Sequence, residues 1–270
     1  MLVAAVLAAG CGAPQGRNEP PNTMALEREV SAWVSASDLA PIAPTGLAFG
    51  AAPAAVLIGH GTLPPGAGRD AVPVATISAD GKSAWTVEPD PPVRRTVLVE
   101  RDGKSWRVLM AHASRGVEAD VARHNEEKGS WPPLADVGEG VPEPAQELAQ
   151  ILSHALGGAD AFAEVISKRP GTAAVGPAAE DHFTGTHEVS EFVRSLYARE
   201  GSRVVRSGGM RGGLAAGGDA GWIVTNVDLV VTRGRRDLVR PCRLSVVFAR
   251  EEDGWAIVQL HLSHALAGES

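Results

Sequence analysis

The sequence predicts an α+β fold of two tandem domains, each with helices packed on one face of a curved antiparallel sheet. Three observations lead to this prediction: a strand-turn-strand segment occurs twice, a run of helical patterns precedes the second copy, and 270 residues suit two small domains. The chain is 44% hydrophobic and 21% charged, a balance that allows each domain to bury a core.

Charge and cysteine content exclude several classes of protein. The formal net charge of −7 argues against a protein that binds nucleic acid. The two cysteines, Cys11 and Cys242, are too few for a disulfide framework. Cys242 lies in an expected strand, where a single cysteine packs as a small hydrophobic residue and a catalytic thiol is not expected. No cofactor is predicted.

The first 24 residues read as a signal and tether. An apolar tract ends at Cys11 and is too short to span a bilayer, so it fits the apolar part of a secretory signal better. Leu-Ala-Ala-Gly-Cys at 7–11 resembles the bacterial lipobox, which implies a lipid anchor on Cys11 and a place in the cell envelope. The alternative is that translation starts at Met24 and that the protein is cytoplasmic.

A gap-free internal repeat is the strongest feature of the sequence. Residues 94–114 align with residues 243–263 at a constant offset of 149, and each copy has the form of a hairpin with a Gly-containing turn. The identical pairs are Arg94/Arg243, Val97/Val246, Arg101/Arg250, Trp106/Trp255, His112/His261 and Ser114/Ser263.

The two copies differ in length on their amino-terminal side. Trp85 and Trp222 precede the two hairpins, but Trp85 lies 21 residues before Trp106 whereas Trp222 lies 33 residues before Trp255. The first copy is therefore expected to have lost about 12 residues from two paired strands. Only one short helix and little periodicity precede it, so the first unit is interpreted as a degenerate copy.

Apolar spacing predicts the helices, and glycine content predicts one long loop. The helix beginning near His187 is expected to be capped by Thr186. The glycine-rich segment 207–218 reads as a flexible loop, and since no Lys-Ser/Thr pair follows it, no phosphate loop is predicted. The predicted helices cover 26–34, 143–156, 161–167 and 187–198.

The second unit resembles the SnoaL-like, nuclear transport factor 2-like superfamily. The resemblance lies in Gly-Asp-Ala-Gly-Trp at 218–222, Arg-Leu-Ser at 243–245 and the Trp-x5-His-x-Ser pattern at 255–263. It implies a cone-shaped, cystatin-like domain with a cavity between helices and sheet, and frequent dimerisation through the sheet; it does not imply one chemistry. The predicted organisation is signal and tether at 1–24, degenerate repeat at 25–118, linker at 119–142 and SnoaL-like domain at 143–266.

A pocket is predicted from strand alternation in the second unit. Pairing of the Trp222 and Arg243 strands is expected to set Asp228 opposite Arg243 and Asn226 opposite Ser245. A three-residue turn before the last strand would bring His261 opposite Ser245, whereas a two-residue turn would bring it opposite Leu244. The ligand-binding set is Trp222, Asn226, Asp228, Arg243, Ser245 and His261.

Three interpretations of this set stay open. The chain is a non-catalytic module that binds a small apolar or carboxylate ligand, or an interaction partner, with Asp228 and Arg243 as a cross-strand salt bridge. Alternatively it is an isomerase, cyclase or hydrolase in which Asp228 or His261 transfers protons and Arg243 holds an oxyanion. In the third, the two sheets pack together as a structural pseudo-dimer within one chain, and the protein is a monomer in solution. If the second sheet is exposed instead, a homodimer is expected.

Other polar groups give weaker signals. No metal site is predicted, because a strand points His261 and His264 to opposite faces. Arginines cluster at 199, 203, 206 and 211 and again at 233, 235, 236 and 240. They are expected to be solvated surface, with an anionic partner as the alternative.

Overall fold

The computed structural model describes residues 23–36, 42–49, 56–58, 73–88 and 93–264. Within these ranges the chain forms two six-stranded sheets with helices, so the predicted α+β class is confirmed. The segment that contains Cys11 lies outside the described residues, as do residues 89–92. No helix in the described part is long and apolar enough to cross a membrane.

The first sheet has the strand order β2-β1-β6-β5-β4-β3, with β1 parallel to β6 and antiparallel pairs elsewhere. Helix α1 packs on it through Val30 and Val34, which are completely buried. The elements are α1 (Thr23–Ala36), β1 (Ile42–Phe49), β2 (Val56–Ile58), β3 (Val74–Ile77), β4 (Ser83–Glu88), β5 (Arg94–Asp102) and β6 (Ser105–Ser114), followed by α2 (Ala119–Lys128).

The second sheet repeats this topology with the order β8-β7-β12-β11-β10-β9 and with β7 parallel to β12. Each sheet is therefore antiparallel, as the sequence predicted, except for one parallel pair, β1 with β6 in the first and β7 with β12 in the second. The elements are a 3-10 turn (Glu143–Ala145), α3 (Gln146–Ala155), α4 (Ala159–Glu164), β7 (Ala173–Val175), β8 (His182–Thr184), α5 (Gly185–Ser195), β9 (Arg203–Leu214), β10 (Ala220–Arg233), β11 (Arg236–Glu251) and β12 (Gly254–His264).

The helices of the second unit occur where apolar spacing predicted them. They cover one face of the sheet, and their buried side chains join its largest apolar core. The cap of α5 is a correction: the helix starts after Thr184, whose N–H donates to the Glu188 carboxylate at 2.8 Å. Thr186 instead donates its hydroxyl to the Ser167 carbonyl at 2.7 Å.

The repeated hairpins correspond position by position. Both close with a two-residue turn, between Asp102 and Ser105 in one and between Glu251 and Gly254 in the other. Both also contain a bulge at equivalent places, where the register shifts after Leu98 in β5 and after Val247 in β11. Beyond the bulge His261 lies opposite Ser245, the pairing that the sequence assigned to a three-residue turn.

The strands before these hairpins differ as predicted. Trp85 pairs with Leu98 and Trp222 pairs with Val247, which are equivalent positions at the offset of 149. Strand β4 has 6 residues and β10 has 14, so the first copy is the shorter one.

The glycine-rich segment that the sequence predicted to be a flexible loop forms part of a strand, and the linker that contacts it contains a helix. The glycine-rich segment 207–218 lies largely in strand β9, because its glycines allow close packing: a Cβ on Gly209 would lie 2.5 Å from the Gly138 carbonyl carbon. The linker at 119–142 also contains helix α2, and its Gly140 N–H donates to the Met210 carbonyl of β9 at 3.0 Å.

Candidate functional site

The two sheets pack against each other with the faces that are turned away from their helices. In β10, Ile223 and Val227 point to the helices, while Trp222 and Val224 point to the first domain. The apolar part of this contact forms one buried cluster. Its larger members are Leu47, Phe49, Trp85, Leu98, Leu109 and Met110 from the first domain and Trp222, Val224, Val247 and Val258 from the second.

At the centre of the contact the imidazoles of His112 and His261 stack, with ring centroids 3.8 Å apart and an interplanar angle of 16°. His112 forms hydrogen bonds with Ser245 Oγ through Nδ1 and with Ser263 Oγ through Nε2, both at 2.8 Å.

His261 makes the same contacts with the other copy. Its Nδ1 lies 3.1 Å from Thr96 Oγ1 and its Nε2 lies 2.6 Å from Ser114 Oγ. Thr96 and Ser114 precede Ser245 and Ser263 by 149 positions. Each histidine therefore bonds the equivalent hydroxyl groups of the opposite domain, which is the contact pattern of a two-fold interface.

Burial keeps both imidazoles neutral. Desolvation is the main cause that lowers the pKa of His112 and His261 well below the ordinary value, and the positive charge of Arg94 adds to it for both rings. A neutral imidazole has one donor and one acceptor nitrogen, so its two hydroxyl partners satisfy it completely.

Arg94 and Arg243, which are equivalent residues of the repeat, also make contacts outside their own domains. Arg94 Nη1 donates to the carbonyls of Ala178 at 2.6 Å and Asp181 at 3.2 Å in the second domain. Arg243 Nη2 donates to the Ala135 carbonyl of the linker at 2.8 Å, and its guanidinium lies 4.5 Å from the centre of the Phe49 ring. Burial lowers the pKa of Arg243 to about 10, still high enough to keep it charged.

Five of the six predicted pocket residues, all except Asp228, therefore contact the first domain or the linker. Trp222, Ser245 and His261 face the first sheet. Asn226 donates to the Ala135 carbonyl at 2.9 Å, together with Arg243. Because their partners belong to the first domain and the linker, these side chains do not line the space between sheet and helices.

The predicted pairing of β10 with β11 is wrong by two residues. A two-residue turn between Arg233 and Arg236 sets Asn226 opposite Arg243 and Asp228 opposite Pro241. The shift keeps every side chain on its predicted face but removes the expected pairing of Asp228 with Arg243. Arg243 Nε instead lies 3.4 Å from Asn226 Oδ1.

A cavity of about 230 Å³ does open in the second domain, between α5, the β7–β8 turn and β10. Phe183 and Phe192 stack at its wall with centroids 4.6 Å apart. Asp181 and Arg240 supply polar groups, and burial raises the pKa of the Asp181 carboxyl. The resemblance implied a cavity between helices and sheet, but the sequence did not identify these lining residues, because Asp181 carries no motif and Arg240 was grouped with solvated arginines.

No set of three or more metal-ligating side chains comes together in the part of the chain that the structure describes. Cys242 Sγ lies 3.1 Å from His264 Nδ1, and burial raises the pKa of the thiol well above its ordinary value. Cys242 is therefore a thiol packed in the core, as expected.

One family model matches the second domain. Residues 148–267 match the family model of the SnoaL-like domain. The match runs from within α3 to beyond the end of β12, and it confirms the resemblance found in the sequence. The match does not include the first domain. None of the curated proteins matches the chain.

Several solved structures are similar to about half of the chain. A nuclear transport factor 2-like superfamily protein from Salmonella enterica is 17% identical, covers 47% of this chain and 96% of its own, and has a TM-score of 0.41. A nuclear transport factor 2-like protein with a cystatin-like fold from Novosphingobium aromaticivorans is 14% identical, covers 47% and 85%, and has a TM-score of 0.39. One of unknown function from Pseudomonas putida is 13% identical, covers 48% and 93%, and has a TM-score of 0.40.

Proposed function

We propose that the chain is a non-catalytic binding module, in which the SnoaL-like domain holds a small molecule and the first domain serves as its built-in dimer partner. One observation carries the proposal. Arg243, Ser245 and His261, the groups that acid–base chemistry would use, are bonded to the first domain and the linker.

An acid–base role needs a titratable group that reaches a substrate. His261 is completely buried, both ring nitrogens have hydroxyl partners, and its pKa is far below neutrality. Asp228 lies opposite Pro241 in the pairing of β10 with β11, so it is not opposite Arg243. The acid–base interpretation required Asp228 opposite Arg243 and a His261 that can reach a substrate, so these observations argue against it.

The cavity supports a binding role. Its walls combine seven apolar residues with the polar side chains of Asp181, Ser195, Arg199, Ser202 and Arg240, and ligand sites also combine apolar walls with polar groups. Its volume of about 230 Å³ is below the common range of roughly 300–1,000 Å³, so the ligand has to be small.

Thermal unfolding of the full chain with a panel of small aromatic and alicyclic compounds tests the proposal. A ligand at 100 times its Kd should add about 2.7 kcal/mol of stability. Val231→Trp fills the cavity and should abolish the shift, whereas Val239→Trp, at an exposed position of the neighbouring strand, should keep it. No shift with any compound, or a shift that persists in Val231→Trp, contradicts the proposal.

The same proposal includes a lipid anchor at Cys11 and a place in the cell envelope. Its support is the lipobox-like segment 7–11 alone. Labelling of the expressed chain with a palmitate analogue should occur in a bacterial host and be lost in Cys11→Ser. Equal labelling of both forms, or none, would contradict it.

A further inference from the structure

Helix α2 lies across a groove of about 470 Å³ on the second domain. None of the residues of α2 is buried, so little apolar contact holds the helix in place. The groove continues into the cavity of the SnoaL-like domain, since Pro177, Arg199 and Arg240 line both spaces.

The groove has an excess of positive charge, because four arginines line it together with the two carboxylates of Glu126 and Glu127. Its lining includes four guanidinium groups, from Arg123, Arg199, Arg233 and Arg240. The Glu126 carboxylate of α2 forms ion pairs with both Arg233 and Arg240 while only 14% of its side chain is exposed.

The arginines keep unused hydrogen-bonding capacity. Within the described ranges, the guanidinium groups of Arg123 and Arg199 have no hydrogen bond or ion pair, and the Nε of Arg240 is buried without a partner. A buried donor without an acceptor is costly, and a planar carboxylate matches the donor geometry of a guanidinium.

The cavity next to the groove indicates the chemistry of the part of the ligand that does not contact the arginines of the groove. Phe183, Phe192 and Leu229 form apolar walls next to Arg240. Asp181 also lines this cavity, but its Oδ2 accepts the Ala178 N–H at 2.9 Å. The two spaces together fit a molecule with one anionic end and one compact apolar end.

We propose that the groove and the cavity bind a small monocarboxylate with an apolar body, whose carboxylate pairs with Arg240 and Arg199 and displaces Glu126. The proposal rests on the proposed binding function of the cavity and adds the ligand's charge and the competing residue. Helix α2 is thus a strap that the ligand loosens, because the ligand replaces the ion pairs that hold it.

Calorimetric titration of the full chain with benzoate and with benzamide separates the two proposals. The probes have nearly the same shape and differ in charge, and the comparison needs no variant. Benzoate should bind at least about tenfold more tightly, which corresponds to about 1.4 kcal/mol. Equal binding of both probes overturns the carboxylate proposal and leaves the binding function standing, while no binding of either probe overturns both.

Variants test the residues. Glu126→Gln removes the internal competitor and should tighten benzoate binding by about tenfold, whereas Glu118→Gln, the same change outside the groove, should not alter it. Arg240→Gln should abolish the preference for benzoate over benzamide, and the exposed Arg236→Gln should keep it. Unchanged or weaker benzoate binding in Glu126→Gln, or a preference that survives Arg240→Gln, overturns the assignment.

Discussion

The stacked histidines predict that the stability of the folded chain falls steeply in mild acid. In the unfolded chain His112, His261 and His264 take up protons near pH 6.5. In the folded chain burial holds the pKa of the first two well below that value and lowers the pKa of His264 to about 4. The unfolded state therefore binds more protons below pH 6.5, so acid favours unfolding.

The size of the effect follows from linkage. Each histidine that stays neutral in the folded state costs about 1 kcal/mol of stability between pH 6.5 and 5.5. The three buried histidines together should cost about 3 kcal/mol over this interval, a large part of the stability of a typical domain. His264 stops contributing below about pH 4, where its folded form also binds a proton.

Urea unfolding followed by tryptophan fluorescence at several pH values measures this loss. The double variant His112→Gln/His261→Gln should lose only about 1 kcal/mol over the same interval, because His264 alone remains. His187→Gln removes an exposed histidine and should behave like the unmodified protein. A loss in the double variant equal to that of the unmodified protein would refute the reasoning.

Three further predictions concern stability measured by the same unfolding experiment. Ser114→Ala removes the partner of His261 Nε2 and should cost about 1–3 kcal/mol, the penalty of an unsatisfied buried group. Glu88→Gln weakens the buried two-point ion pair with Arg95, whose Nε and Nη2 lie 3.1 and 2.5 Å from the carboxylate oxygens, and should cost about 3 kcal/mol. Gly116→Ala would place a Cβ 2.1 Å from backbone of the second domain and should cost about 1–3 kcal/mol.

Matched changes elsewhere provide the controls. Ser153→Ala removes an exposed helical hydroxyl, Glu191→Gln weakens an exposed ion pair with Arg194, and Gly158→Ala adds a Cβ that meets nothing within 4 Å. Each should change stability by less than about 1 kcal/mol. Equal effects of a test variant and its control would show that the corresponding interdomain or buried contact does not stabilise the fold.

Local pattern was sufficient to predict much of the second domain. The helices followed from apolar residues at helical spacing, such as Leu148 and Leu152, which the structure buries completely. The sequence could not decide whether His261 lies opposite Ser245 or Leu244. The observed two-residue turn is followed by a bulge, and together they produce the register expected for a three-residue turn. Bulges depend on packing around the strand and leave little trace in a single sequence.

The candidate site shows where sequence reasoning fails. Alternation in β11 correctly separated Arg243 and Ser245 from the apolar face that the helices cover. The alternation pattern does not show what covers the polar face. Buried polar groups need hydrogen-bond partners both in a ligand pocket and against a second protein surface, so the two cases give the same pattern. The repeat was the signal that could have identified this interdomain contact. In a two-fold contact the same residues of each copy take part, so the two copies keep identical polar residues at a fixed offset.

The reciprocal interface also determines where the chain can change length. An insertion or deletion of one residue inside β5, β6, β11 or β12 would turn the following side chains to the opposite face and separate a histidine from its hydroxyl partners. The connections outside these four strands carry no such requirement. The spacing between the two tryptophans of each copy, 21 residues in one and 33 in the other, shows a difference in length that includes the strands: β5 has 9 residues and β11 has 16. We therefore expect natural variants to differ in loop lengths and in the part of β11 before Arg243, while residues 94–114 and 243–263 keep their lengths.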